Sequence, residues 1–303
     1  MKSGWKILGE EQLFMERELS GEEQTWMGKR VLGGRKVSGE VKLSGRLRAL
    51  ARMVTPGSRV CDVGCDHGFL SIYLVREKIS PKVIAMDVRK GPLSGAEEHI
   101  ARQELEDYIE TRLSDGLESL ACGEADCLVC AGMGGRLMKR ILTEGRSKAK
   151  RFRELVLQPQ SDLPAFRRFL REEGYRTVEE NMIEEDGKFY FLMKAVPGGE
   201  VLSEELGQDA LGQSIRSRGG TEPEAERFGK AGKTEQVWEF EQFGELLFAG
   251  KHPVLKKYLG IREKKAGELL EQLRGQDSPR AKRRYREVCR ELRLIREAAE
   301  RLE

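Results

Sequence analysis

Between residues 59 and 172 short apolar runs alternate with helical periodicities, and this alternation constrains the fold more than any other feature of the chain. The runs lie at 59–63 (RVCDV), 82–86 (KVIAM), 125–131 (ADCLVCA) and 154–158 (ELVLQ), with a weaker one near 108–113. Helical stretches fall near 68–78, 91–104, 134–143 and 162–172. Such repetition predicts an α/β fold with a parallel sheet covered by helices on both faces. Ahead of it, SGRLRALARMV places Leu47, Leu50, Ala51 and Val54 on one helical face, with Ser44 as N-cap and TPGS as terminator. After it, RTVEENMIEEDGKFYFLMKAV reads as two strands joined at Asp186-Gly187, a hairpin that gives the sheet an antiparallel edge.

The flanking segments have different compositions. Residues 1–40 read as a flexible leader, 41–196 as the sheet domain, 197–237 as a Gly-, Ser-, Glu- and Gln-rich linker or insertion, and 238–303 as a helical tail. In the tail, Leu269, Leu270 and Leu273 face Val288, Leu292, Ile295 and Ala299 across a break at GQDSP, which predicts an antiparallel helical hairpin. Lys and Arg number 54 against 51 Asp and Glu, so attraction to nucleic acid has to come from local clustering. SPRAKRRYR supplies such a cluster, with Arg280, Lys282, Arg283 and Arg284. The alternative is a solvated face or an oligomerising hairpin.

No stretch approaches the roughly 20 apolar residues needed to cross a bilayer, and MKSGWKILGEEQLFMEREL lacks the apolar core of a secretory signal. The cysteines show no secreted-framework spacing. A cytoplasmic setting with no membrane partner follows as the expectation. Cys127-x-x-Cys130 has ligand spacing but sits in a strand-like run without a second pair, so reduced core cysteines and no metal are expected.

Chemistry concentrates where the strands end. In RVCDVGCDHGFL the first strand stops at Asp62, and a turn bearing Gly64 and Gly68 enters the next helix. In an open parallel sheet ligands bind beyond the carboxyl ends of the strands, where glycine allows close approach. The middle glycine of a dinucleotide fingerprint is missing, which favours a smaller nucleoside ligand. The second strand ends at Asp87, where a carboxylate can accept from both ribose hydroxyls, and the third leads to Asp115-Gly116, within reach of an adenine amino group. Three carboxylates after successive strands form the layout for S-adenosylmethionine. Asp62 and Gly64 taken alone are equally a strand-ending turn.

These residues resemble the bacterial tRNA (adenine-N1)-methyltransferases that modify adenine 22. The resemblance rests on LSGRL (43–47), DVGCDHGFL (62–70), GP (91–92), SDGL (114–117), AGMGG (131–135), LVLQP (155–159) and EEDGKFYFLMKA (184–195), in the family's order. It is close over about 42–196 and looser over 238–303. Cys65, Gly68-Phe69, Ser114 and Asp87 depart from the family's usual Ser, Ala-Tyr, Gly and Glu. The resemblance implies a class I (Rossmann-like) S-adenosylmethionine-dependent methyltransferase sheet with a C-terminal helical hairpin, acting on tRNA.

Adenine N1 carries a free lone pair, so no base is needed before attack, and acceleration rests on alignment. Positive charge passes from sulfur to the ring, which a carboxylate near the acceptor stabilises. Asp66 and His67 are the candidates for that neighbourhood, although a lone histidine is more often a loop or packing residue than a catalytic one. Enzymes that methylate the exocyclic amine present a polar-Pro-Pro-aromatic clamp after the fourth strand. Here Ala131, Gly132 and Met133 are read as cofactor contacts, and Gly134 and Gly135 as substrate contacts. Methylation of another RNA base or a small molecule, and noncatalytic RNA binding, remain as alternatives, and a monomer is the expected state.

Overall fold

The structure, a computed structural model, describes residues 5–7, 13–15, 43–198 and 240–303. The expected leader lies outside the described residues apart from Trp5–Ile7 and Leu13–Met15, which pair as short antiparallel strands, and the linker lies outside them beyond residue 198.

The predicted alternation is realised as β1 (Val60–Val63), α2 (Phe69–Arg76), β2 (Val83–Asp87), α3 (Lys90–Arg102), β3 (Ile109–Leu113), β4 (Cys127–Met133), α4 (Gly135–Glu144) and β5 (Glu154–Pro159), preceded by α1 (Gly45–Met53). α5 (Leu163–Glu172), β6 (Tyr175–Glu185) and β7 (Lys188–Pro197) follow. The seven strands lie in the order β3-β2-β1-β4-β5-β7-β6, parallel from β3 to β5, with β7 antiparallel to β5. β1, β2 and β5 are buried along their whole length, as strands covered on both faces must be. β3 is the edge strand and only Ile109 in it is buried, which explains its weak apolar signal. Asp186 and Gly187 take φ of 50° and 69°, the doubly left-handed turn that matches strand twist.

Local chemistry sets where the helices begin and how they are tied down. Ser44 caps α1 by accepting from the Leu47 N–H, as its spacing predicts. Leu50, Met53, Ile72, Leu74, Leu93 and Ala96 from α1, α2 and α3 cover one sheet face, together with Val60, Ala85, Val129 and Val156. On that face a buried polar knot ties α1 to the far strands. Glu154 accepts from the Thr55 N–H and hydroxyl at 2.8 and 2.6 Å, and Lys194 Nζ stands 2.6 Å from Glu154 and donates to the Met53 carbonyl. Cys61, Cys65, Cys127 and Cys130 are buried, and burial pushes their thiols up.

The chain divides into two compact units, residues 1–162 with 181–196 and residues 163–180 with 197–303. Within the second, Arg167 is buried between the Glu180 carboxylate at 3.1 Å and the carbonyls of Glu241 and Gln242. α6 (Glu245–Ala249), α7 (Pro253–Leu273) and α8 (Pro279–Glu300) follow, with Ser278 capping α8. α7 and α8 form the expected hairpin. Val288 and Ile295 are buried as read, whereas Leu269, Leu270, Leu273, Leu292 and Ala299 are half-buried. Leu255, Leu259 and Ala266 of α7 and Ala281 and Leu294 of α8 are buried as well, and an Arg262–Glu291 ion pair crosses between the helices.

Candidate active site

A cleft of about 530 Å³ opens at the carboxyl ends of β1, β2 and β4, where the strand order reverses. Asp62, Gly64, Asp66, His67, Asp87, Asp115, Gly116, Ala131, Gly132 and Met133, named from sequence, all line it. Residues from four separate strand ends thus meet in one wall.

Asp62 is the deepest. It is 2% exposed, its Oδ2 accepts from the Ser71 hydroxyl at 2.7 Å, and burial raises its carboxyl to about 6 despite that hydrogen bond. The chain then turns back over β2, with the Gly64 and Cys65 N–H groups donating to the Met86 carbonyl. Gly64 has φ 74°, and a Cβ there would strike the Met133 methyl group, so glycine keeps this wall thin. Gly68 opens α2 with φ 72°, and a Cβ there would press on Ala96 at 3.0 Å.

Asp66 and His67 lie between these glycines and are exposed. Asp66 Oδ1 stands 3.9 Å from His67 Nε2 and 3.8 Å from Arg89. The His67 carbonyl accepts from His99 Nδ1 at 3.0 Å, which places a proton on that nitrogen, and Phe69 stacks on His99 with 4.7 Å between ring centroids.

Asp87, at the end of β2, is 5% exposed and accepts from the backbone N–H groups of Asp66 at 3.3 Å and Arg89 at 2.9 Å. Each oxygen retains a lone pair. Asp115 is half-buried, and Arg140 from α4 grips both its oxygens. At the end of β4 the register shifts between Ala131 and Met133, and Gly132 takes φ 74°. The Gly132 N–H donates to Gln158 Oε1, and the Met133 carbonyl accepts from the Gln160 N–H. Backbone therefore lines this corner, pinned by the Gln158 side chain of β5 and the Gln160 backbone just beyond it.

Gly134 and Gly135 are not among the cleft-lining residues. Gly134 is the N-cap of α4, and the Gly135 N–H donates to the Ser161 carbonyl. Arg280, Lys282, Arg283 and Arg284 lie exposed on α8, where Lys282 pairs with Asp277 and Glu287 pairs with both Arg283 and Arg284.

Sequence reasoning missed Arg46, Arg140, Gln158 and Gln160. Arg46, Arg140 and Gln160 line the cleft, and Gln158 supports it from the sheet. The signal for Gln158 was an amide directly after the apolar run at 155–157 of a buried strand, since such a group needs partners. Exposed Phe69, Val88 and Leu137 add apolar surface to the same cleft, suited to a flat heteroaromatic ring.

Residues 43–193 match the methyltransferase-domain family. The chain is 36% identical over 159 residues to the tRNA (adenine(22)-N(1))-methyltransferase of Bacillus subtilis, a match covering 52% of this chain and 67% of the relative. Its fold is similar to the crystal structure of the B. subtilis M1A22 tRNA methyltransferase TrmK, with TM-score 0.66 and 27% identity over 86% of this chain and all of the other. A comparable likeness, TM-score 0.65 with 26% identity over 85% of this chain and all of the other, is found to a Streptococcus pneumoniae putative tRNA (m1A22) methyltransferase in complex with S-adenosyl-L-methionine.

Proposed function

Because the chain belongs to the tRNA (adenine-22-N1)-methyltransferase family, we propose that it transfers a methyl group from S-adenosylmethionine to N1 of adenine 22 in tRNA. The observation that carries the choice of atom is the β4 corner. Ala131-Gly132-Met133 offers backbone and an apolar side chain, with no polar side chain to hold an exocyclic amine or take its proton. N1 needs neither.

The cleft fits S-adenosylmethionine on the chemistry of its own residues. Asp87 keeps free lone pairs for two ribose hydroxyls, Asp115 faces the adenine end, and Gly64 leaves room at the backbone. When bound, S-adenosylmethionine supplies an electrophilic methyl group on a sulfonium. Asp62 and the Gly64–Gly68 turn hold the amino-acid end, Val88 and Gly116 flank the adenine, and Gly132 and Met133 form the floor under the acceptor base. Asp66, an exposed carboxylate on that turn, stands by the ring as it takes positive charge, with His67 beside it. Alignment of nucleophile, methyl carbon and leaving sulfur supplies most of the acceleration.

Residues 41–196 carry this chemistry in the proposal, and 238–303 contact tRNA. On α8, Arg283, Arg286, Arg290 and Arg293 recur at three- and four-residue spacing and so share one exposed face. Arg283 and Arg293 pair within the helix to Glu287 and Glu297, whereas no acid partners Arg286 or Arg290 among the described residues. Unneutralised arginines on a regular stripe suit a phosphate backbone.

Incubating the protein with methyl-labelled S-adenosylmethionine and unmodified tRNA, then separating nucleosides by mass spectrometry under neutral conditions, tests the proposal. 1-Methyladenosine at position 22 is expected. Direct formation of N6-methyladenosine, or methylation of guanine or cytosine only, would overturn it.

A further inference from the structure

Among the described residues Arg46 is a cation without a carboxylate partner. It is the second residue of α1, half-buried, and lines the cleft beside Gly132 and Gln160. Its Nη1 donates to Gln158 Oε1 at 3.0 Å, and its guanidinium carbon lies 5.4 Å from the centroid of the Tyr190 ring. No carboxylate pairs with it among the described residues. Gln158 is 1% exposed, and its Oε1 accepts from both Arg46 and the Gly132 N–H. Both neighbours are pure donors, so the oxygen has to face them. The amide nitrogen is then a buried donor with no acceptor among the described residues. A cation at a cleft wall and an unsatisfied N–H on the side chain that holds it both lack the same thing.

We infer that Arg46, oriented by Gln158 and the Tyr190 face, is an oxyanion anchor of the cleft. This rests on the methyltransferase reading. Two of the leading N–H groups of α1 do not compete for the anion, because Leu47 N–H is taken by Ser44 and Gly45 N–H by Glu185. The guanidinium cannot favour the acceptor ring, which becomes positive as N1 is alkylated. An oxyanion with two equivalent oxygens matches its fork. Two sources carry that chemistry here, the carboxylate at the amino-acid end of S-adenosylmethionine and the phosphodiester flanking the target nucleotide.

The test compares full-length wild-type, Arg46→Met and Gln158→Glu proteins, each checked by thermal melting. Calorimetry measures S-adenosylhomocysteine and methylthioadenosine, which lacks the amino-acid end, and anisotropy follows unmodified tRNA at several salt concentrations. If the anion is the carboxylate, Arg46→Met loses about tenfold to a hundredfold in affinity for S-adenosylhomocysteine, the usual worth of hydrogen bonds to charged groups, and none for methylthioadenosine. If it is the phosphate, S-adenosylhomocysteine binds as before, while tRNA affinity falls and its logarithmic salt slope shrinks by about one. Gln158→Glu, which supplies Arg46 with an internal anion, reproduces whichever loss applies and carries the test alone should Arg46→Met not fold. Folded variants that bind all three probes as the wild type does would overturn the inference and leave the methyltransferase reading standing. A wild-type protein that binds neither S-adenosylhomocysteine nor tRNA would overturn both.

Discussion

Arg140 holds Asp115 by a two-point grip, Nη1 to Oδ2 at 3.0 Å and Nη2 to Oδ1 at 2.8 Å. The carboxylate expected to meet the adenine amino group is thus already oriented by α4, with its outer lone pairs left for a ligand. Both side chains are substantially exposed, so the pair's role is to fix direction. Arg140→Gln is expected to leave the melting temperature nearly unchanged and to weaken S-adenosylhomocysteine binding several-fold. Paired calorimetry and melting curves check both halves.

Asp87 is almost fully buried, with Arg89 Nε 3.6 Å from its Oδ1 rather than in a two-point grip. Asp87→Ala is expected to weaken S-adenosylhomocysteine binding by about 1–3 kcal/mol, the cost of leaving buried donors unmet. Unchanged affinity in calorimetry would remove Asp87 from the site.

Asp62 gives a pH signature. Its carboxyl is raised from 3.8 to about 6 in the folded protein, chiefly by burial. The folded state therefore binds this proton more tightly than the unfolded chain does. The stability it contributes is fully present below the unfolded value and is lost as pH rises through about 6. Asp62→Asn keeps a neutral group of the same shape beside Ser71. It is expected to melt higher than the wild type above pH 6, with the gap closing toward pH 4, and to bind S-adenosylhomocysteine more weakly at neutral pH. A gap that does not change with pH would contradict this assignment.

The Glu154–Lys194 pair lies far from water, with both residues buried. Lys194→Met strands Glu154 and is expected to cost about 3–5 kcal/mol in denaturant unfolding, whereas the double change Glu154→Leu, Lys194→Met recovers most of it. Equal losses in the single and double variants would show that packing, not charge, dominates.

On α8, replacing Arg286 and Arg290 by Ser is expected to lower tRNA affinity and to reduce its salt slope by about one for each phosphate no longer neutralised, with S-adenosylhomocysteine binding unaltered. Anisotropy across a salt series reads both quantities. Truncation at residue 238 would be a poorer test. It removes the carbonyls of Glu241 and Gln242 that satisfy buried Arg167.

Signals carried within a few residues were legible in the sequence. Ser44 reaches only Leu47, and Asp186-Gly187 encodes its own turn. The strand-end carboxylates were legible because in a parallel sheet every strand delivers its last residue to the same edge. What stayed hidden depends on partners that the chain brings together from afar. Arg46 meets Gln158 across 112 residues and Thr55 meets Glu154 across 99, and neither pair has a periodicity to betray it. In sequence Gly132 reads as a cofactor contact and Gly134 and Gly135 as substrate contacts, all in one glycine-rich run. The bulge between Ala131 and Met133 separates their roles by placing Gly132 on the cleft and the other two at the start of α4.

The wiring of α1 sets an order of assembly. Its Gly45 N–H reaches Glu185, 140 residues downstream, and its last turn receives Lys194, 141 residues beyond Met53. Closing so long a loop costs only slightly more entropy than closing a short one, but contacts this distant in sequence form slowly. During synthesis α1 is made before any strand of the large sheet, yet part of what fixes it, the bonds to Glu185 and Lys194 and the Tyr190 face, comes from the β6–β7 hairpin that completes that sheet. A nascent chain ending at β5 contains every strand-end carboxylate and the Gln158 partner of Arg46, and still lacks Glu185, Tyr190 and Lys194. The wall that carries Arg46 is therefore completed by residues made after the last of those that line the cleft.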